Sequence, residues 1–161
     1  MERIRRIMEH PLYQKNQKRI EELEQNRVFC RHGIGHSLDV ARILYILVLE
    51  REVCVPKDVV YAAALLHDIG RAVQYEEKRP HHEAGAELAE VILKECGYEP
   101  EEIDRITKAI ASHQINSGNK EEYAFGSLLY EADKLSRNCF SCQVQSECYW
   151  ENSKKNSTLQ Y

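Results

Sequence analysis

Apolar residues recur along this chain at helical spacing, and the stripes they form are repeatedly closed by a histidine or an aspartate. His36, Val40, Ile43, Leu44 and Leu47 fall at i, i+4, i+7, i+8 and i+11, so His36 shares the buried face of its helix. Residues 57–68 follow Pro56, a good first-turn residue, and stop before Gly70; their inward positions include Val60, Ala63, Ala64 and His67. Ile103, Ile106 and Ile110 line one face of residues 101–112, and His113 comes three positions after Ile110. Over residues 127–137, Leu129, Ala132, Asp133 and Ser136 share a face, which puts an acid where a hydrophobe is expected.

Only four prolines and seven glycines interrupt these patterns, and no segment alternates as a strand would. The fold expected is all-α. A helix over 12–25, anchored by Leu12, Ile20 and Leu23, is expected to cap the domain, and another spans 82–95 through Leu88, Ala89 and Ile92. The divisions expected are an N-terminal helical cap (1–30), a core domain (31–138) and a cysteine-containing extension (139–161) whose polar end, 151–161, should be frayed.

With 161 residues, 43% of them hydrophobic, the chain can bury one core, and its net charge of −4 gives no sign of a nucleic-acid surface. The longest apolar runs, 43–49 and 59–66, are far short of a bilayer span. The first six residues, Met-Glu-Arg-Ile-Arg-Arg, contain no signal-peptide core, so a cytoplasmic address is expected, without nucleic-acid or membrane partners. Oligomeric state has no mark in the sequence.

His36, His67, Asp68 and Asp133 therefore lie on three helices at or beside inward positions. An unpaired buried carboxylate costs several kcal/mol or is neutralised, so two aspartates facing a helical core need compensating charge. A divalent cation supplies it. Mixed imidazole and carboxylate ligands suit Fe or Mn first, with Zn, Co and Ni also fitting. Neighbours on a helix diverge by about 100°, so His67 and Asp68 converge on one ion only where the helix is ending, as Gly70 indicates.

The order His36, His67-Asp68, Asp133 resembles the signature of the HD-domain metal-dependent phosphohydrolase superfamily. The flanks match: Arg31-His32-Gly33-Ile34-Gly35-His36-Ser37-Leu38-Asp39-Val40-Ala41, Ala63-Ala64-Leu65-Leu66-His67-Asp68-Ile69-Gly70 and Glu131-Ala132-Asp133-Lys134-Leu135. The resemblance covers residues 31–137. It implies a helical bundle around a metal, with His36, His67, Asp68 and Asp133 as ligands of a first ion. His81, four residues before Gly85, and His113 resemble the ligands of a second ion in dinuclear members, with Asp68 bridging; His82 is the alternative to His81. Among those members the layout looks most like bacterial symmetrical dinucleoside-tetraphosphatases. The chain lacks the Gly-Tyr-Pro motif of HD-type cyclic-di-GMP phosphodiesterases after His113. It also lacks the acidic dipeptide that follows the His-Asp pair in alarmone hydrolases, since Ile69-Gly70 stands there.

The activity expected is hydrolysis of a phosphoester or phosphoanhydride of a small molecule, a nucleotide above all, by a water activated on one or two ions. Asp68 is expected to orient that water, with Asp133 as the alternative. Arg71, Lys78, Arg79, Lys134 and Arg137 lie near the ligands in sequence, and Arg71 and Lys134 are the preferred catalytic cations. An HD-fold di-iron oxygenase and a non-catalytic nucleotide-sensing module are the alternatives.

Cys139-x2-Cys142-x5-Cys148 follows the last motif, and Cys30 precedes the His36 helix. Four thiolates can hold Zn²⁺ or an iron–sulfur cluster, and a redox-responsive disulfide is a third option. The spacing fits no standard zinc ribbon, which favours free thiols in a reducing compartment.

Overall fold

The computed structural model describes residues 1–112 and 124–161, and among them the regular structure is entirely helical. The α-helices are α1 (Glu2–Glu9), α2 (Pro11–Leu23), α3 (Ile34–Glu50), α4 (Lys57–Leu66), α5 (Arg71–Glu77), α6 (His81–Glu95), α7 (Pro100–Ser112) and α8 (Ala124–Leu135). Three 3₁₀ turns follow, Cys139–Ser141, Gln145–Glu147 and Asn152–Lys154. No helix among the described residues is long and apolar enough to cross a membrane.

The most apolar segment becomes the middle of the bundle. Val59, Val60 and the run from Ala62 to Leu66 on α4 are buried, with α3 and α7 packed against them. The expected α3 stripe is realised by buried Val40, Ile43, Leu44 and Leu47. α8 packs on α3 and α7, and α6 lies along α7. Between α7 and α8 the backbones approach at Gly126, where a Cβ would sit 3.4 Å from the Ala109 Cα and closer still to the Ser112 hydroxyl. Only glycine gives that separation without displacement.

The N-terminus departs from expectation. α1, over a segment to which the sequence assigns no helix, buries Ile4 and Ile7, and Tyr13 of α2 joins the same core. These residues build the core as well as capping it. Of the three anchors expected on α2, Ile20 is fully buried, Leu12 is half-buried and Leu23 is exposed. α5 was also not anticipated; its seven residues show less than two turns of periodicity.

The tail 151–161 is held rather than frayed. Asn156 Nδ2 lies 2.8 Å from the Arg137 carbonyl oxygen, 2.9 Å from that of Lys134 and 3.2 Å from that of Leu135. It thus serves carbonyls that the end of α8 leaves without helical partners. Tyr161 donates to Glu50 Oε2 at 3.0 Å. A polar composition suggested solvated coil, but a side-chain amide over a helix C-terminus anchors the chain without apolar burial.

Candidate metal centre

His36 sits in the first turn of α3, after the N-cap Gly33. His67 follows the last residue of α4, and Asp68 lies in the turn beyond, where Ile69 N–H bonds to the Leu66 carbonyl and Arg71 N–H to that of Asp68. Because the helix ends here, consecutive side chains turn to one place. Asp133 comes from the last turn of α8. His36, His67 and Asp133 form the one group among the described residues whose ligand atoms, all within 4.8 Å of one another, could hold an ion. Asp68 Oδ2 joins them, 3.2 Å from His67 Nε2 and 3.5 Å from His36 Nε2.

The tautomers are set from behind. His67 Nδ1 is 2.7 Å from the Ala64 carbonyl oxygen, which only accepts, so Nδ1 carries the proton and the Nε2 lone pair faces the carboxylates. Ser136 Oγ gives its proton to the Asp133 carbonyl at 2.8 Å and so accepts from His36 Nδ1 at 3.3 Å. His36 Nε2 then stands 3.3 Å from Asp133 Oδ1 without the alignment of a hydrogen bond, and both Asp68 oxygens are buried with equally poor alignment. Lone pairs of neutral imidazoles aimed at buried carboxylates repel unless a cation lies between them. This donor set fits a divalent transition metal.

The electrostatics agree. Burial works to lower the pKa of His36, but the Asp133 and Asp68 carboxylates outweigh it and raise it to about 9. Burial also works to raise the carboxyls. Against it, His67, Arg71 and His36 hold Asp68 well below its ordinary range, and His36, His67 and Lys134 do so for Asp133. The two buried carboxylates thus favour positive charge at the centre, which a divalent ion would supply.

The other side of Asp68 is organised differently. Arg71 Nε lies 2.8 Å and His81 Nε2 3.4 Å from Oδ1. His81 is brought there because the chain passes closely at Gly70, where a Cβ would be 2.5 Å from the Gly85 nitrogen and nearer still to the His81 carbonyl oxygen. Gln74 Oε1, 2.8 Å from His81 Nδ1, accepts its proton and turns Nε2 toward Asp68. His82, the alternative, stands edge-on to the His81 ring, with centroids 5.9 Å apart. His113 lies outside the described residues.

Of the expected cations, Lys134 Nζ reaches Asp133 Oδ2 at 2.5 Å, and Arg137 Nη2 is 3.8 Å from the same oxygen. Lys78 and Arg79 stay away from the centre. Lys78 Nζ donates to the Tyr75 carbonyl, and Arg79 pairs with Glu87 at the surface. Cys30, Cys139, Cys142 and Cys148 are free and line a separate cavity.

Sequence reasoning missed Glu24, Tyr75 and the role of His32. Glu24 accepts from the His32 backbone N–H at 2.7 Å and ring Nδ1 at 2.6 Å, and from Tyr75 at 2.5 Å. The His32 ring meets that of His36 edge-on at 5.6 Å. Burial would raise Glu24, but His32 and Tyr75 draw it down to about 2. A glutamate at the end of a polar helix carries no sign of that burial.

The comparisons agree with this geometry. A family model described as HD domain matches residues 33–138. A protein of unassigned role from Clostridium beijerinckii is 39% identical over 161 residues, covering 100% of both chains. Ribonuclease Y 1 of Pediococcus pentosaceus is 30% identical over 121 residues, 74% of this chain and 21% of its own length. Ribonuclease Y of Lawsonia intracellularis is 32% identical over 115 residues, 71% of this chain and 20% of its own. The chain thus spans about a fifth of the ribonuclease Y proteins it matches. No solved structure matches it. With its ligand geometry and this match over most of its length, the chain belongs to the HD-domain family, a superfamily of metal-dependent phosphohydrolase type.

Proposed function

We propose that this protein is a metal-dependent phosphohydrolase of small phosphorylated molecules, nucleotides above all, working with one Fe or Mn ion held by His36, His67, Asp68 and Asp133. The observation that carries this reading is the convergence of His36, His67 and Asp133 on one point, with both histidines held from behind at Nδ1. When bound, the ion lowers the pKa of a coordinated water from about 15.7 towards 7 and polarises a phosphoryl oxygen.

The residues divide the remaining work. Asp68 presents Oδ2 to the ligand group and Oδ1 to Arg71 and His81, so one carboxylate serves both the ion and the substrate side. Arg71 offers a planar fork for phosphate oxygens, and Lys134 a point charge. Each abuts a different carboxylate, which gives two cations next to the reacting group. Arg71 Nε already occupies Asp68 Oδ1 at 2.8 Å, where a second ion would need to bind, and this favours one ion.

The matches to proteins named ribonuclease Y favour a second reading, cleavage of a phosphodiester in RNA. One experiment separates the readings. Protein purified anaerobically and loaded with Mn²⁺ or Fe²⁺ is assayed against a nucleotide panel, a short RNA and O₂ uptake, with Asp68→Ala alongside. Phosphate release from nucleotides that Asp68→Ala abolishes supports the proposal. RNA cleavage alone would replace it with the second reading, and O₂ uptake without phosphate release would make the centre an oxygenase. Inactivity in all three assays would leave a nucleotide-sensing module.

A further inference from the structure

Four of the six cysteines meet in space although they come from distant parts of the chain. Cys30 lies between α2 and α3, and Cys139, Cys142 and Cys148 lie beyond α8. Together they line one cavity of about 310 Å³, with Val28 and Phe29 contributing apolar wall. The remaining two, Cys54 and Cys96, are not part of it. Phe29 and Tyr149, the neighbours of Cys30 and Cys148, pack edge-on with centroids 5.6 Å apart, which fastens the two segments together.

The cavity has the features of a built site. Gln145 Nε2 donates to the Cys139 carbonyl at 2.9 Å, and Lys155 Nζ to that of Gln145 at 3.0 Å, so the turns carrying the cysteines are tied to each other. Arg27 Nε holds the Cys30 carbonyl at 2.6 Å. Lys155 lines the cavity, a cation beside the cysteines, while burial pushes the Cys30 thiol up.

The spacing of the thiols selects the ligand. Zinc–sulfur bonds of about 2.3 Å place tetrahedral sulfurs about 3.8 Å apart. The cysteine sulfurs are not gathered in that way; among the described residues only His36, His67 and Asp133 are close enough to share one ion. Four cysteines spread around one open hollow suit a polyatomic group instead, and four thiolates are the ligand complement of a cubane cluster. We propose that Cys30, Cys139, Cys142 and Cys148 bind a [4Fe–4S] cluster. The proposal stands apart from the reading of the histidine centre, because the cluster contains sulfide and that centre does not.

The cluster site adjoins the centre through one aromatic residue. Trp150, two residues after Cys148, lies under the Arg137 guanidinium at 3.8 Å, and Arg137 Nη2 reaches to 3.8 Å from Asp133 Oδ2.

The test is acid-labile sulfide per chain, with electron paramagnetic resonance of the dithionite-reduced protein, after anaerobic reconstitution with ferric iron, a thiol that reduces half of it, and sulfide. About four sulfides per chain and a reduced-cluster signal are expected. Both should be lost in Cys142→Ser, whose side chain is exposed and outside the core, and in Cys30→Ser, while Cys54→Ser and Asp68→Ala keep them. The proposal is overturned by a reconstituted wild-type protein without sulfide, whether its cysteines hold zinc or pair as disulfides. Sulfide that persists in both Cys142→Ser and Cys30→Ser would overturn it as well. The wild-type measurement stands even if a variant does not fold.

Discussion

The histidine centre and the cysteine cavity are both places where distant segments bring ligand-type side chains together, and they are built in opposite ways. The centre sits on helix ends packed into the core, and its imidazoles are oriented by fixed acceptors, the Ala64 carbonyl and Ser136 Oγ. The cavity sits on short 3₁₀ turns, and its cysteines are exposed or half-buried around a void. A single ion needs ligand atoms already in place to fractions of an ångström, whereas a larger group can itself organise the loops around it.

The largest effect that can break this contrast comes from Asp68→Ala. It should reduce phosphohydrolase activity to background and strip the ion, read by elemental analysis, while the cysteine cavity keeps its sulfide. Retained activity would remove the enzymatic reading of this centre, and simultaneous loss of sulfide would show the two regions to be one site.

Next is Gly70→Ala, which drives a methyl into the backbone of Gly85 and His81. We expect about 3 kcal/mol of destabilisation, by analogy with overpacked cores, which in a chain of this size lowers Tm by about 6–12 °C. An unchanged Tm would show that the close approach of α6 to the turn after α4 is not needed.

Ser136→Ala removes the acceptor that orients His36 and should weaken metal binding by about tenfold, as seen when partners behind ligating histidines are lost. Competition with a chelator measures this. Unaltered affinity would mean that burial alone orients His36.

The smallest effect concerns Glu24. Its pKa is drawn down from the ordinary glutamate value of 4.5 to about 2 in the folded protein, so its stabilisation is fully present above pH 4.5. It is lost as pH falls through about 2. Glu24→Gln should therefore flatten the pH dependence of stability between those values, read by denaturant melts, and leave its slope above pH 5 unchanged. An unaltered acid limb would place the acid sensitivity elsewhere.

Much of the centre was legible. His36 and Asp133 interrupt apolar stripes, and on a helix a side chain's position in the period settles which face it takes. Gly70 after His67-Asp68 announced the helix end that lets both side chains turn inward. The short α5 was not legible, because seven residues carry too little period. Neither was the tail, whose anchor is a single amide serving carbonyls about twenty residues away in sequence. The choice among basic residues was equally hidden: Arg71, three residues from Asp68 around the start of α5, reaches its carboxylate, while Lys78 and Arg79, closer in sequence to His81, turn elsewhere.

By itself the sequence determined an all-helical chain with imidazole and carboxylate groups on its inward faces, because helical periodicity and the cost of burying charge are local properties of residue type and spacing. Only the tertiary structure decided that Asp68 divides its two oxygens between the ligand group and the Arg71–His81 pair, that Glu24 stands behind His32, and that four cysteines surround one cavity. Those outcomes depend on how helices and loops are placed against one another, and the residues that meet are separated by stretches of chain whose spacing encodes a face but not the neighbour that face will find.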